Sequence, residues 1–112
     1  MQIYKIFLGS EWAELEENRE TLGAPVDLAD GYIHFSTAAQ APETAAKYFA
    51  NRNNLMLLAC ETGTLGEALK WEPSRGGDLF PHLYRPLRLN EIIWAKPLPV
   101  DNGTHIFPAD MR

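Results

Sequence analysis

In the stretch Asp30-Gly31-Tyr32-Ile33-His34-Phe35-Ser36-Thr37, apolar and polar residues alternate one by one. An extended strand sends successive side chains to opposite faces, so Ile33 and Phe35 are expected in a core, with Tyr32, His34 and Ser36 in a row opposite. That row carries a stacking ring, a titratable imidazole and a hydroxyl. A strand with one solvated face more usually carries Thr, Lys or Glu there. A hydrogen-bonded His and Tyr in a half-buried sheet accounts for the stretch equally well when it is taken alone. Phe80-Pro81-His82-Leu83-Tyr84 shifts the balance, because it repeats His and Tyr at a two-residue spacing on an apolar background. Two such segments point to a cleft with a histidine on each wall.

The rest of the chain limits what surrounds that cleft. Its 112 residues read as a single domain over 1–112, with room for one core and no separate cofactor domain. Hydrophobic residues at 46% and charged residues at 22% are globular values. The net charge of -5 argues against non-specific nucleic-acid binding, which relies on clustered Lys and Arg. A small anionic ligand remains compatible, with Lys70, Arg75, Arg85 and Arg88 available for a local positive patch. Cys60 is the only cysteine, so no intrachain disulfide forms, and its apolar run Leu55-Met56-Leu57-Leu58-Ala59-Cys60 suits a buried, inert thiol. Neither a signal segment nor an apolar run of membrane-spanning length is evident, so a cytoplasmic location without membrane attachment is expected.

Along the chain, residues 2–8 read as a first strand ended by Gly9. Ser10 is expected to cap a helix through Asn18, with Trp12 and Leu15 facing inward. Residues 20–29 read as irregular around Gly23-Ala24-Pro25. Thr37 and Gln40 have capping-box spacing, and a helix follows near Ala41 with Ala45, Tyr48 and Phe49 on one face. Its N-terminus would offer N–H groups and a positive dipole end to an anion beside Ser36 and Thr37. Leu55 to Cys60 reads as a strand buried on both faces, and Ala68 to Glu72 as another. Ser74-Arg75-Gly76-Gly77-Asp78 is either a mobile lid or an ordinary hairpin connection. Arg88 to Leu98 reads as a long strand stopped by Pro97 and Pro99, followed by a loose tail over 100–112 in which His105 and Phe107 dock on the sheet edge.

Together with Gln40, the Leu55–Leu58 strand and Trp71-Glu72, the two His motifs resemble the bacterial family called domain of unknown function 952, over roughly residues 3–98. The resemblance implies an α+β fold of the ADP-ribosyltransferase-like type, in which two small, mainly antiparallel sheets and two or three short helices form a cleft for a nicotinamide dinucleotide. It is closest, in its pair of histidines, to the group containing the RNA 2'-phosphotransferases. Two departures stand out. Arg85 occupies a position that is commonly glycine in the family, and the catalytic glutamate of many relatives has no secure counterpart, Glu72 and Glu91 being candidates by position alone.

On this reading NAD is a substrate rather than a resident cofactor, and no metal is expected. Breaking the nicotinamide–ribose bond develops positive charge on the sugar, so the site needs groups that hold the ribose and the ring more than a strong nucleophile. His34 would bond a ribose hydroxyl, Tyr84 or Tyr32 would stack, and Ser36 and Thr37 would support the pocket. His82 would bind phosphate or ribose or act as an acid or base, and Arg75 and Arg85 would neutralise the diphosphate. Other readings use the same residues differently. A non-catalytic nucleotide- or ADP-ribose-binding module fits the missing glutamate. A metal-dependent hydrolase would use His34, His82 and Asp30 or Glu72, without a closely spaced ligand pair. A Ser36–His82–Asp78 triad lacks the Gly-x-Ser-x-Gly turn, and an interaction protein would present Trp71 and Trp94 to a partner.

Overall fold

A computed structural model describes residues 1–111. The elements in chain order are β1 (Gln2–Leu8), α1 (Gly9–Asn18), β2 (Glu20–Thr21), α2 (Pro25–Asp30), β3 (Ile33–His34), α3 (Ala41–Tyr48), β4 (Leu55–Glu61), α4 (Thr62–Leu65), β5 (Leu69–Pro73), β6 (Leu79–Leu83), β7 (Leu87–Arg88), β8 (Ile92–Leu98), β9 (Val100–Asp101) and β10 (Thr104–His105). The architecture is α+β, with small antiparallel sheets and short helices. One three-stranded sheet has the order β1-β4-β8 and a second the order β3-β6-β5, while β2 pairs with β7 and β9 with β10.

β4 is continuously apolar because both of its faces are covered. Leu55, Leu57 and Ala59 join Tyr4, Ile6 and Leu98 against Ala45 of α3. On the opposite face Leu58 packs with Phe7 and with Leu15 of α1, and Cys60 packs with Ile3, Ile33 and Phe35. Burial, with the nearby Glu91 carboxylate, pushes the Cys60 thiol up to about 12, so it stays an inert thiol.

The two sheets are tied together by the stretch first singled out. His34 pairs with His82 of β6, and Phe35 N–H donates to the Pro81 carbonyl at 2.9 Å. One residue later Ser36 and Tyr4 of β1 exchange backbone hydrogen bonds of 2.8 and 2.9 Å. The chain from Ile33 to Ser36 therefore belongs first to one sheet and then to the other, and a cleft opens where it crosses. Ile33 and Phe35 are buried, as the alternation requires.

Several local expectations are corrected. Ser10 lies within the first turn of α1, and the Leu8 N–H is capped instead by the Glu11 carboxylate at 2.7 Å. Leu15 is buried and Trp12 packs beside it. Residues 20–29, read as irregular, contain β2 and most of α2; Pro25 starts the helix, and Asp27 reaches back to accept from the Ala24 N–H at 2.7 Å. Thr37 and Gln40 do form reciprocal bonds of 3.0 and 3.2 Å, although Tyr48 in α3 is exposed. Pro97 does not stop the last strand, because β8 is an edge strand and tolerates a missing N–H. The strand is also shorter than expected at its start, where Leu89–Glu91 makes a 3₁₀ turn. Residues 100–105 are a hairpin rather than a loose tail, with His105 buried and its Nε2 at 3.1 Å from the Arg52 carbonyl. Arg75–Gly77 is the turn of the hairpin joining β5 to β6, closed by Ser74 N–H donating to the Asp78 carbonyl at 2.9 Å.

Leu57→Ala should cost about 2–5 kcal/mol in urea unfolding, because its side chain is enclosed between β4 and α3. Leu79→Ala, at an exposed position, should cost less than about 0.5 kcal/mol.

Candidate functional site

Antiparallel pairing places His34 directly opposite His82, so both side chains leave the same face of the sheet. Their ring centroids are 5.2 Å apart. Tyr32, arriving from the αL turn at Gly31, lies across both, 4.6 Å from His34 and 4.2 Å from His82. Tyr84 stands behind Tyr32 at 5.1 Å. Tyr32, His34 and His82 line a cavity of about 530 Å³, walled also by β1, α2, α3 and the β5–β6 hairpin. That size suits a small organic ligand.

Each histidine is gripped by carboxylates, in different ways. His34 Nδ1 lies 2.6 Å from Asp27 Oδ1 and its Nε2 lies 3.0 Å from Asp30 Oδ2. Both ring nitrogens thus face acceptors. His82 Nδ1 lies 2.8 Å from Glu72 Oε1, and the same oxygen accepts from the Tyr84 hydroxyl at 2.7 Å. Those two bonds hold the Glu72 carboxyl below its ordinary range, so it is ionised at neutral pH. Ionising the Tyr84 phenol would forfeit its bond to Glu72, so the phenol is pushed up to about 12.

Asp27 is the buried anchor beneath His34. Beside the imidazole it accepts the His34 N–H at 3.0 Å and the Lys5 ammonium at 2.8 Å. Its burial alone would raise its pKa, but the His34 side-chain bond and the Lys5 charge outweigh that effect and hold it below the carboxylate range. Burial pulls the Lys5 ammonium down from its ordinary value, against the opposing attraction of Asp27.

Two arginines also line the cavity. Arg75 Nη2 donates to Thr44 Oγ1 at 3.2 Å, its Nε lies 3.3 Å from Glu43, and its guanidinium sits 4.9 Å from the centre of the Phe80 ring. Arg52 is the second arginine of the lining. Ser36 Oγ is 3.0 Å from Thr44 Oγ1, whose own hydrogen goes to the Gln40 carbonyl. Ser36 therefore supports the wall and is not poised as a nucleophile.

The structure thus brings Tyr32, His34, Ser36, Arg75 and His82 to one cavity, with Tyr84 just behind its wall. Thr37 lies elsewhere, on a shallow depression with Met1 and Glu61, and its capping exchange with Gln40 occupies two of the N–H groups expected to face an anion. Arg85 is also elsewhere: it makes a two-pronged pair with Glu91 at 2.9 and 2.7 Å and bonds the Leu65 and Pro86 carbonyls. Glu91 is accordingly a structural partner and not a site carboxylate. Glu72, rather than Asp78, holds His82, which removes the proposed triad. Among the described residues no three His, Cys, Asp or Glu side chains are arranged to hold a metal ion. Trp94 packs on Tyr4 and Lys96, so it does not form a free surface with Trp71.

Lys5 and Asp27 escaped sequence reasoning. A lysine in the middle of the apolar strand Ile3-Tyr4-Lys5-Ile6-Phe7 was the available signal, since a buried ammonium needs a carboxylate partner. Asp27 had no such signal, because its helix was read as irregular.

Asp27→Asn should cost about 3–5 kcal/mol in urea unfolding by stranding the Lys5 ammonium, and Lys5→Met in that background should recover part of the loss. Asp27 and Glu91 both titrate lower in the fold than in the unfolded chain, Glu91 because of its Arg85 bond. Their contribution is complete above the unfolded carboxylate range, about pH 5, and is lost as pH falls through the depressed folded values. Urea midpoints should therefore fall below about pH 4, and less steeply in Glu91→Gln.

Among the described residues no helix is long and apolar enough to cross a membrane. No curated protein matches the chain. The crystal structure of protein CC0527 from Caulobacter crescentus is similar, with 50% identity over 95% of this chain and 94% of that one and a TM-score of 0.91. The solution NMR structure of CC0527 also matches, with 50% identity over 93% and 90% of the two chains and a TM-score of 0.84. The family model described as protein of unknown function, DUF952, matches residues 6–95, and the chain belongs to that family.

Proposed function

We propose that the cavity binds NAD or a related nucleotide in the manner of an ADP-ribosyltransferase-like domain, and that an ADP-ribosyl group is transferred or hydrolysed there. The observation that carries this reading is that one cavity gathers two kinds of group. Two adjacent imidazoles lie under a tyrosine ring with Asp27, Asp30 and Glu72 around them, and Arg75 and Arg52 line the same cavity. A dinucleotide has matching parts. Its phosphates suit the arginines, its ribose hydroxyls suit carboxylate and imidazole acceptors, and its rings suit the aromatic walls.

The carboxylates around the histidines also favour the chemistry. As the nicotinamide–ribose bond breaks, positive charge grows on the sugar, and fixed carboxylates nearby stabilise it without reorganising. Two sheets meeting at a cleft are what the ADP-ribosyltransferase-like reading requires of the fold. Arg85 has no part in diphosphate binding on this view, since Glu91 occupies it. A non-catalytic binding module is the second reading. It is favoured by His34, whose two nitrogens are already engaged by Asp27 and Asp30. In either case we propose a cytoplasmic, single-domain protein with a small-molecule nucleotide ligand.

Calorimetric titration with NAD, ADP-ribose and a 2'-phosphorylated ribonucleotide tests the reading. At least one should bind saturably, and Tyr32→Ala and Arg75→Ala should each weaken it by at least about 10-fold, or 1.4 kcal/mol, without lowering the melting temperature. Arg85→Ala should lower stability by about 1–3 kcal/mol and leave binding unchanged. Heat from none of the three ligands, with a folded sample, sinks the nucleotide reading.

A further inference from the structure

Among the described residues, His82 is the histidine that presents to the cavity a ring nitrogen with neither a hydrogen bond nor a carboxylate contact. His34 is bonded to Asp27 through Nδ1 and its Nε2 lies 3.0 Å from Asp30 Oδ2, and the Nε2 of His105 is bonded to the Arg52 carbonyl, away from the cavity lining. His82 lines the cavity while the Glu72 carboxylate that takes its Nδ1 does not, so the carboxylate holds the ring from behind. Among the described residues no group bonds Nε2 and no fully buried side-chain nitrogen lacks a partner, so Nε2 keeps some open surface on a residue that lines the cavity. An ionised Glu72 accepts from Nδ1–H, which leaves the Nε2 lone pair free. Tyr84, bonded to the same Glu72 oxygen, fixes the carboxylate in turn.

We infer that His82 is the general base of a hydrolytic reaction, with Nε2 taking a proton from a water that attacks the anomeric carbon of the bound nucleotide, and that Glu72 is its positioning residue. This rests on the nucleotide reading of the cavity. The new C–O bond forms from the water oxygen as the C–N bond breaks; the bonding pair leaves with the nicotinamide nitrogen, which loses its formal positive charge. The water proton passes to Nε2 and then to solvent. Water is the acceptor because access to the base is restricted. His82 is 2% exposed, and the Tyr32 ring lies 4.2 Å from its own. A side chain carried on another protein would have to displace that ring, whereas water needs far less room. The transferase reading with a protein acceptor is thereby narrowed to hydrolysis.

The test has one arm that needs no ligand. Nitrogen-15 NMR of His82 in the full chain at pH 8 should show the Nδ1–H tautomer, and Glu72→Leu should remove that preference; an Nε2–H tautomer in the unmodified protein overturns the proposal. In the second arm, incubation with NAD should release nicotinamide and ADP-ribose in equal amounts. His82→Gln should lower kcat at least about 100-fold with KM changed less than about threefold, and Glu72→Gln should lower kcat in the same sense with KM unchanged. NAD binding without nicotinamide release, or release at an unaltered rate in His82→Gln, overturns the proposal and leaves the nucleotide reading standing. No binding of NAD or ADP-ribose to the folded protein overturns both.

Discussion

The buried carboxylate of Asp27 is the interaction on which the two halves of the cleft depend. It takes Lys5 from β1, the backbone and ring of His34 from β3, and the N–H of Ala24 at the start of its own helix. A carboxylate removed from water is tolerated only when such partners replace its hydration. The requirement runs both ways, since the Lys5 ammonium is equally buried and has this carboxylate as its neutralising contact. The pair therefore fixes β1, α2 and β3 relative to one another with a directional interaction that apolar packing would not supply. His34 reaches the cleft in one orientation because Asp27 holds it from below and Asp30 from the side.

The crossing of Ile33–Ser36 between sheets converts that local order into a cavity. A strand that stayed in one sheet would have packed its polar row against solvent. Here the hydrogen bonds change partner between Phe35 and Ser36, from β6 to β1, and the two sheets diverge on either side. His34 and His82 end up on one wall as cross-strand neighbours, not on facing walls as the two separate motifs suggested. The β5–β6 turn adds to the lining and brings Arg75 over Phe80 and against Thr44 of α3. The loop that looked like a lid is thus held by a cation–π contact and a hydrogen bond.

Much of this was legible in the chain. Alternation in residues 30–37 identified the side chains that enter the core and those that line the cavity, because strand geometry leaves little choice. The unbroken apolar run of β4 identified a strand covered on both faces. The boundaries that failed were those where a side chain replaced an expected backbone or cap partner: Glu11 rather than Ser10, and Asp27 within a segment that its glycine and proline made look irregular. Pro97 failed for a related reason. Its effect depends on whether the strand has a neighbour on its N–H side, which is a property of the sheet and not of the residue.

The sequence by itself determined the residue types available to the site, the face of the strand from which Tyr32, His34 and Ser36 emerge, and the membership of the chain in its family. Only the tertiary structure decided which charges meet. Arg75 and Arg85 are equivalent on paper, yet Arg75 lines the cavity beside the exposed Glu43 and Arg85 is held by the buried Glu91; Glu72 and Glu91 likewise part, one holding His82 and the other Arg85. The physical reason is that a charged side chain is committed by the partner within about 4 Å of it. Those partners, such as Lys5 and Asp27, come from elements far apart in the chain, whose approach local propensity does not encode.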